Sequence, residues 1–398
     1  MKKKIAVFFG GLSCEHDVSV LTGLQILEAL DPTRYEAFPV YVALDGRWYV
    51  GDALRQRKNY MLSSQTIETL DTVMLPVGAT TLGSQYKLVS TKPSGLFKRA
   101  VNEYTFDAVL PSFHGTGGED GAFQGLLRWL GIPFLGCDIL PAALFMNKKM
   151  SKSIFLQLQL PTLPYVALSR TVNLDILETQ IKDLQFPLCV KPCNLGSSVG
   201  VSKAANIDEL KTALLKVFKI DHTAMLEPFV EDLVEYNVAV SRAFGETRIS
   251  AIERPERKSN VLDFKDKYLS GGDVYNKLGN KLAQGENAGM QTATRTLNPS
   301  ELGETRRNII TQAATAIAES TDLTGTVRID FLAQSSSEAI WVNEVNTFPG
   351  SLSYFLWEAA APKVRFSDLL NQLLDEAFAR PPLGVFDPVQ AGTAIFRR

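Results

Sequence analysis

Two short segments near the C-terminus alternate apolar and polar residues, which is the pattern of β-strands. They span residues 325–331 and 340–347, and the polar sequence at 334–337 between them is typical of a turn. We therefore predict that the two segments pair as an antiparallel hairpin.

Four polar side chains occupy matching positions of this hairpin. Arg328 and Asp330 share one face of the first strand, because side chains alternate between the faces of a strand. Glu344 and Asn346 share one face of the second strand for the same reason. Oxygen ligands of this kind suit Mg²⁺, and a neighbouring guanidinium suits a phosphate bound to that metal. The hairpin predicts a metal–nucleotide site; the alternative is a hairpin with one solvated face.

The first third of the chain alternates strand-like and helix-like segments. The predicted strands are residues 5–9, 35–42, 107–111 and 132–135, and the predicted helices are residues 18–30 and 123–130. Strand, helix and strand in this order predict a parallel α/β sheet. The Asp45-Gly46 turn predicts a hairpin to residues 47–50.

A second unit begins near residue 142. Its predicted helices are residues 146–160 and 207–218, and its predicted strands are residues 188–191 and 223–227. The remainder is rich in strands up to residue 346 and ends in helices around 366–379. Residues 269–298 are rich in Gly, Asn and Gln, and this composition predicts a long mobile loop. The Pro-rich sequence beyond Arg380 predicts a lightly tethered terminus.

Composition excludes several classes of protein. The 398 residues are 45% apolar and 21% charged with a formal net charge of −2, so no basic field favours nucleic acid. No apolar run approaches a membrane span.

The five apolar residues after Lys2-Lys3-Lys4 are too few for a signal peptide, and we expect a cytoplasmic protein. Three histidines and four cysteines without Cys-x-x-Cys argue against a thiolate or imidazole metal site.

Residues 191–200 place Lys191 at a strand end and a Gly-Ser-Ser loop at 196–198. Backbone N–H groups and hydroxyls of such a loop can cradle phosphates, and the lysine supplies a point charge. The sequence contains no Walker A motif, and the alternative is a plain hairpin turn.

Residues 114–121, His-Gly-Thr-Gly-Gly-Glu-Asp-Gly, follow a strand and open a helix. A helix N-terminus can bind a phosphate or carboxylate. The alternative is a capping turn in which Glu119 and Asp120 favour the helix dipole. Asp120 occupies the third glycine position of a dinucleotide fingerprint, which disfavours a dinucleotide-dependent oxidoreductase.

Two further motifs carry charged residues at candidate positions. Glu15, in the strand–loop–helix segment 10–19, either caps the helix or pairs with a substrate ammonium, and the residues alone favour capping. Residues 263–268 form either a solvated charge run or part of a lid that includes Lys267 and Tyr268.

The order of these motifs resembles that of the D-alanine–D-alanine ligases, in the ATP-grasp superfamily, over nearly the whole chain. The matching motifs are Phe-Gly-Gly-x-Ser-x-Glu-His-Asp-Val-Ser at 9–19, Asp-Gly-Arg-Trp at 45–48, His-Gly-x-x-Gly-Glu-Asp-Gly at 114–121, Met-Asn-Lys at 146–148, Lys-Pro at 191–192 with Gly-Ser-Ser-Val-Gly at 196–200, Asp-Phe-x-x-Lys-Tyr at 263–268, Arg-Ile-Asp-Phe at 328–331 and Asn-Glu-Val-Asn-Thr-x-Pro-Gly at 343–350.

The resemblance implies a three-domain α/β ATP-grasp architecture that is α+β in its C-terminal parts. The implied domains are an N-terminal parallel-sheet domain for substrate at 1–140, a central ATP-grasp domain at 141–232 and a C-terminal ATP-grasp and catalytic domain at 233–398. It further implies small-molecule substrates, a homodimer, a cytoplasmic location and a role in supplying cell-wall precursor.

The resemblance also assigns residues to ATP and to two Mg²⁺ ions, which Mn²⁺ can replace. The implied ATP-binding residues are Lys148, Lys191, Ser197, Ser198 and Lys267 for the phosphates and Glu227 and Glu235 for the adenine and ribose side. The implied metal ligands are Asp330, Glu344 and Asn346.

In the reaction implied by the resemblance, one D-alanine carboxylate attacks the γ-phosphorus to give an acyl phosphate, which the amine of a second D-alanine then attacks. Arg328 and the N–H of Gly350 would stabilise the oxyanion. Glu15 would hold the first ammonium, with Ser197 and Tyr268 closing a lid over it. The remaining implied substrate-binding residues are His114, Ser351 and Ser353.

This chain departs from the family pattern at three places. Asn147 replaces the usual aspartate, and the stretch from Tyr268 to Arg328 is longer than usual. Phe355 occupies the position of a serine that helps hold the carboxylate of the second amino acid. Either Ser351 or Ser353 replaces that hydroxyl, or the acceptor is another amino or hydroxy acid. A catalytically silent nucleotide-binding protein is a further alternative, disfavoured because the implied metal ligands are retained.

Overall fold

Three β-sheets with helices packed on them make up the described part of the chain. The computed structural model describes residues 1–60, 69–77, 85–94, 100–256 and 295–381. The first sheet has the strand order β6-β5-β4-β3-β2-β1-β7, the second β10-β9-β11-β8 and the third β14-β13-β12-β15-β16.

The first sheet contains seven strands and two main helices. The strands are β1 (Lys3–Gly10), β2 (Tyr35–Val42), β3 (Trp48–Val50), β4 (Asp71–Met74), β5 (Tyr86–Ser94), β6 (Ala100–Phe106) and β7 (Ala108–Pro111). The helices are α1 (His16–Ala29) and α2 (Ala122–Trp129). Strand β1 runs parallel to β2 and β7, as the strand–helix–strand order predicts.

Beyond this parallel part, the other strands of the first sheet are antiparallel. The turn at Asp45-Gly46 reverses the chain, so β2 and β3 form the predicted hairpin, and β4, β5 and β6 continue antiparallel. The predicted strand at 132–135 is a single parallel bridge between Val109 and Phe134. The sheet is therefore mixed, with its parallel part around β1.

The second sheet has four antiparallel strands, β8 (Val166–Ser169), β9 (Leu188–Pro192), β10 (Ser202–Ala204) and β11 (Thr223–Pro228). The helices of this region are α3 (Ile139–Met146), α4 (Lys148–Gln157), α5 (Leu177–Gln180) and α6 (Ile207–Val217). The helix predicted at 146–160 is confirmed as α4, which begins and ends a few residues inside the predicted bounds. Asn147, with an extended ψ of 107°, separates α4 from α3 and caps α4 by accepting from the Met150 N–H at 3.0 Å.

The third sheet carries the C-terminal hairpin. Its strands are β12 (Leu233–Ser241), β13 (Arg248–Pro255), β14 (Arg295–Leu297), β15 (Thr326–Gln334) and β16 (Ile340–Asn346), followed or covered by helices α7 (Glu304–Ser320), α8 (Tyr354–Glu358) and α9 (Phe366–Ala379). The predicted pairing of β15 with β16 is confirmed, with Arg328 opposite Asn346 and Asp330 opposite Glu344.

One apolar core joins strand β1 of the first sheet to helix α9. Leucines of α9 lie in one apolar cluster with Ile5 and Val7 of β1. Short 3₁₀ turns occur at Asp52–Arg55, Arg57–Tyr60, Leu174–Ile176, Ser300–Leu302 and Gly350–Ser353. Over the ranges given above, every helix is too short or too polar to cross a lipid bilayer.

Some sequence predictions fall on residues outside the described ranges. These are the lid residues Lys267 and Tyr268, the predicted mobile loop up to residue 294 and the tail from residue 382. The loop prediction is wrong for residues 295–297, which form β14. The domain boundaries 1–140, 141–232 and 233–398 stay a prediction.

Candidate functional site

A hydrogen bond joins the loop before α1 to the loop after β9. The Ser197 hydroxyl donates to Glu15 Oε1, and Glu15 is 6% exposed. The Glu15 side chain makes no capping bond to α1, so the capping interpretation is wrong. A Cβ on Gly115 would lie 2.7 Å from Glu15 Oε2, which shows how closely the loop after β7 approaches the carboxylate. Three loops therefore meet at Glu15.

Glu119 ties the loop after β7 to the residues after β16. Its Oε2 accepts from the Gly115 N–H at 2.7 Å, and its Oε1 accepts from the Phe348 N–H at 3.2 Å. Burial, with the nearby charge of Glu15, raises the pKa of the Glu119 carboxyl. The capping interpretation holds for Asp120, which accepts from the Ala122 N–H at 3.0 Å, and fails for Glu119.

His114 lies buried beneath this loop. Its Nε2 is 3.0 Å from the Thr22 hydroxyl, which also accepts from the Ser351 N–H at 3.3 Å. Burial lowers the pKa of His114 to about 4, so the imidazole is neutral near pH 7. Thr22 was missed by sequence reasoning; the only signal was a polar residue on the buried face of α1.

Lys148 links the Gly-Ser-Ser loop to the third sheet. Its Nζ donates to the Leu195 carbonyl at 2.6 Å and lies 3.6 Å from Glu344 Oε2. Asn147, at the position where the family has aspartate, donates through Nδ2 to Asn194 Oδ1 at 2.7 Å. Asn147 therefore contacts the loop that also receives Lys148.

Glu227 and Lys191 are diagonal neighbours on one face of the second sheet. In the register, Lys191 lies opposite Met225 and Glu227 opposite Cys189. Lys191 Nζ pairs with Glu227 Oε2, and Lys152 Nζ lies 2.5 Å from Glu227 Oε1. Lys152 is missing from the sequence predictions, since a lysine on an amphipathic helix normally faces solvent.

The two lysines dominate the electrostatics of Glu227. Burial raises the pKa of the Glu227 carboxyl, but the charges of Lys191 and Lys152 outweigh it and hold that pKa below its ordinary value. Burial lowers the pKa of the Lys152 amine, and the charge of Glu227 opposes this. Lys191 Nζ also donates to Asn343 Oδ1 at 3.2 Å. Asn343 is the residue that precedes Glu344 on β16.

Arg328, Asp330 and Asn346 form a hydrogen-bonded group on the C-terminal hairpin. Arg328 donates through Nε to Asp330 Oδ1 at 2.6 Å and through Nη2 to Asp330 Oδ2 at 2.7 Å. Asn346 Nδ2 donates to Asp330 Oδ2 at 3.1 Å. Asp330 is only 8% exposed, so the interpretation as a solvated hairpin face is wrong.

The residues of this hairpin fit a hard divalent cation. The candidate ligands are the carboxylates of Asp330 and Glu344 and the carboxamide of Asn346. Among the described residues, no group of three His, Cys, Asp or Glu side chains could hold a metal ion, so this set contains two carboxylates and one amide. All three side chains offer oxygen, and they lie opposite or adjacent in the β15–β16 register. Oxygen donors of this type are those of Mg²⁺ sites.

The segment after Pro349 has an unusual backbone. Ser351, Leu352 and Ser353 have φ values of 49°, 55° and 49°, in the left-handed region that non-glycine residues rarely adopt. The Ser351 hydroxyl donates to Gln25 Oε1, and Ser353 is fully buried with no hydrogen-bond partner for its hydroxyl among the described residues. Both serines are buried, and their substrate-binding role stays a prediction.

Phe355 lies under a guanidinium from β14. Arg295 Cζ is 3.9 Å from the centroid of the Phe355 ring, and Arg295 Nη1 lies 3.2 Å from Glu253 Oε2. Gly350 opens the 3₁₀ turn one residue after Pro349. Sequence reasoning identified Phe355 as a departure and did not identify Arg295.

The remaining predicted residues lie at the edges of the same region. Ser198 follows Ser197 in the loop with a left-handed φ of 59°. Glu235 lies on β12 two residues before Asn237, which is opposite Asp330, so Glu235 and Asp330 share a face of the third sheet. A cavity between the sheets is lined by Glu119, Met146, Lys148, Gly196, Glu344 and Asn346. The structure thus brings loops of all three sheets to one cavity.

Two family models match the chain in sequence order. They are the D-ala D-ala ligase N-terminus over residues 4–137 and the D-ala D-ala ligase C-terminus over residues 154–375. The chain is 32% identical over 386 residues to a D-alanine–D-alanine ligase of Thermoanaerobacter sp. strain X514, covering 94% of this chain and 96% of the relative. It is 31% identical over 389 residues to that of Staphylococcus haemolyticus, covering 96% of each.

Solved structures agree with the fold. The D-alanine–D-alanine ligase from Coxiella burnetii matches with a TM-score of 0.74 and 25% identity, covering 94% of each chain. The VanG D-Ala:D-Ser ligase from Enterococcus faecalis matches in fold with a TM-score of 0.70 and 24% identity, covering 95% of this chain and 100% of that one. On the family models and the relatives together, this chain belongs to the D-alanine–D-alanine ligase family.

Proposed function

We propose that the protein is an ATP-dependent ligase that joins two D-alanine molecules into D-alanyl-D-alanine. The observation that supports it most is Lys148, whose Nζ touches both the Leu195 carbonyl of the candidate phosphate loop and Glu344 of the candidate metal strand. A cation held between these two elements suits a nucleotide whose phosphates bridge them.

In this proposal, Glu15 and Ser197 hold the ammonium of the first D-alanine, and the neutral His114 lies beneath the same pocket. The carboxylate of that D-alanine attacks the γ-phosphorus of ATP, which gives an acyl phosphate and ADP. The free amine of the second D-alanine then attacks the acyl carbon and forms the amide bond. Phosphate leaves with the electrons of the broken C–O bond, and the nitrogen releases one proton to the departing phosphate or to water. Arg328 and the N–H of Gly350 face the negative oxygen that develops at that carbon.

Asp330, Glu344 and Asn346 are the proposed ligands of two Mg²⁺ ions, or of Mn²⁺ in their place. When bound, these ions supply neutralisation of the charge on the transferred phosphoryl group. The ion pair between Arg328 and Asp330 keeps the guanidinium beside the metal ligands, where the reacting carbonyl is also expected. The role of Lys191, Ser198, Glu227 and Glu235 in holding ATP is part of the same proposal.

The cellular setting is proposed on the family alone. D-alanyl-D-alanine is a cell-wall precursor, so we place the protein in peptidoglycan synthesis in the cytoplasm. We further propose that it forms a homodimer, for which light scattering of the purified protein is the direct measurement. Lys267 and Tyr268 are the proposed lid residues.

The decisive experiment is coupled ADP release with D-alanine in the presence of Mg²⁺, with the product identified by mass. D-alanine-dependent ADP release together with D-alanyl-D-alanine supports the proposal. Absence of any D-alanine-dependent turnover would overturn it, and ATP binding without acid-dependent phosphate release would favour the catalytically silent alternative.

A second candidate is a ligase with a different acceptor amino or hydroxy acid. Phe355 favours it, since a phenyl ring offers no hydrogen bond to the acceptor carboxylate and its face is covered by Arg295. An acceptor screen by product mass, repeated with Phe355→Ser, separates the two candidates. Exclusive formation of D-alanyl-D-alanine by the wild type excludes the second candidate. A gain of D-alanine use in the Phe355→Ser variant supports the second candidate, because it shows that this position determines the acceptor.

A further inference from the structure

Three buried charged residues form a cluster, here called the Lys152 cluster, that consists of Lys152, Glu227 and Lys191. Lys152 and Glu227 are each 1% exposed, and each oxygen of the carboxylate pairs with one lysine. Burying an ion is unfavourable unless an opposite charge lies beside it, and the two lysines supply that charge to Glu227.

The net charge of the cluster depends on Lys152. Glu227 and Lys191 alone sum to zero, and the second lysine leaves a net charge of +1 on the three groups. Lys191 is the member that reaches toward β16, where it donates to Asn343 beside Glu344. The surplus positive charge is therefore available at the end of the cluster that faces the candidate metal strand.

Lys152 itself is held away from that strand's polar face. Besides Glu227, its Nζ donates to the Thr162 hydroxyl at 2.6 Å, and that hydroxyl donates to the Val342 carbonyl at 3.2 Å. Lys152 is 1% exposed, so its amine does not lie at a surface that a ligand can touch.

We propose that Lys152 is a positioning residue of the nucleotide site, which neutralises Glu227 and thereby leaves the positive charge of Lys191 to bind nucleotide phosphates. This inference rests on the proposed function only in taking ATP as the ligand. A lysine paired with a lone carboxylate would present little net charge to a phosphate, whereas a lysine in a cluster of net charge +1 attracts it at short range.

The test is the affinity of the full-length protein for ATP, ADP and adenosine, measured by calorimetry. Lys152→Met should lower the affinity for ATP and ADP by about tenfold or more, because one unit charge is lost near the phosphates in a partly screened site. Adenosine, which has no phosphate, should change by less than about twofold. Lys152→Arg should retain most of the ATP affinity, because it keeps the charge.

Two further variants remove the ambiguity between charge and packing. Lys152→Met with Glu227→Gln restores a net charge of +1 through Lys191, so the ratio of ATP to adenosine affinity should recover toward that of the wild type. Glu227→Gln alone raises the net charge to +2 and should increase that ratio. Lys149→Met is the matched control, since Lys149 is an exposed lysine on the same helix, and it should leave the ratio unchanged.

Equal losses for ATP and adenosine in Lys152→Met, or no loss at all, would overturn the inference. Where Lys152→Met fails to fold in a thermal melt, the Glu227→Gln variant decides, and an unchanged affinity ratio there overturns it. Wild-type protein that binds ATP without D-alanine-dependent turnover would overturn the proposed reaction and leave this inference standing. Wild-type protein without nucleotide affinity would overturn both.

Discussion

The Ser197 hydroxyl donates a hydrogen bond to the Glu15 carboxylate, although 182 positions separate the two residues in the sequence. The bond connects a loop of the first sheet with a loop of the second. A hydrogen bond to a charged group contributes roughly 1.5–3 kcal/mol, and more is lost when a buried charge is left without its donor. This contact therefore orients the carboxylate proposed to hold the substrate ammonium.

Replacing Ser197 by alanine tests that orientation. We expect Ser197→Ala to lower kcat/KM for D-alanine by about tenfold to a hundredfold, because the Glu15 charge loses a donor. The thermal midpoint should fall as well, because a buried carboxylate loses its donor, and the fall in kcat/KM for D-alanine should exceed any change in the KM for ATP. Ser153→Ala is the matched control, because it removes an exposed helix hydroxyl that donates to Lys149 O. A variant with wild-type kcat/KM would show that this bond has no part in substrate binding.

Replacing Arg328 by lysine keeps the charge and removes the two-bond contact with Asp330. We expect kcat to fall by about a hundredfold, the usual effect of losing a donor to a developing oxyanion, while ATP affinity stays within about threefold. Steady-state kinetics and calorimetry measure the two quantities. Arg254→Lys is the control, because Arg254 lies on β13 of the same sheet and also pairs with a carboxylate, that of Glu301. Parallel losses of kcat and ATP affinity would contradict a role at the reaction centre.

The metal assignment is tested through Asp330. Asp330→Asn keeps the shape of the side chain and removes one charged oxygen, so the Mg²⁺ concentration for half-maximal activity should rise on the order of tenfold or more. Removing divalent cations with a chelator should abolish wild-type activity, and added Mg²⁺ should restore it. Asp375→Asn removes an exposed carboxylate that pairs with Arg34 and should leave the Mg²⁺ requirement unchanged. The same Mg²⁺ dependence in both variants would exclude Asp330 as a ligand.

His114 makes the stability of the protein depend on pH in a defined direction. Burial lowers its pKa from 6.5 to about 4, so the folded protein takes up this proton at a lower pH than the unfolded chain does. The stabilising contribution is complete above pH 6.5 and is lost as the pH falls from 6.5 toward 4. Between pH 7 and pH 5, urea unfolding of the wild type should show a loss about 2 kcal/mol greater than that of His114→Asn. Equal losses in the two proteins would show that His114 is not buried as a neutral ring.

Local sequence pattern predicts elements well where one face is apolar and the other polar. The strand at 35–42 and the helix at 366–379 have the predicted bounds, and the β15–β16 hairpin has the predicted partners. Periods of two and of 3.6 residues are properties of the backbone itself, so a single strand or helix is encoded locally. The start of α4 shows the limit, since the helix predicted from residue 146 begins at Lys148, where the side chain of Asn147 caps it.

The chemistry-bearing residue types were also identifiable from the sequence, because lysines, carboxylates and glycines at loop and strand ends indicate phosphate and metal binding. What only the tertiary structure decided is which of them meet. Glu119 reaches Phe348 across 229 positions, and Lys152 turns inward to Glu227 instead of facing solvent. Such contacts depend on how separate sheets pack, and a local sequence pattern carries no information about distance in space. The sequence by itself therefore determined the elements and their candidate chemical groups, and the packing of the sheets determined which of these groups form the site.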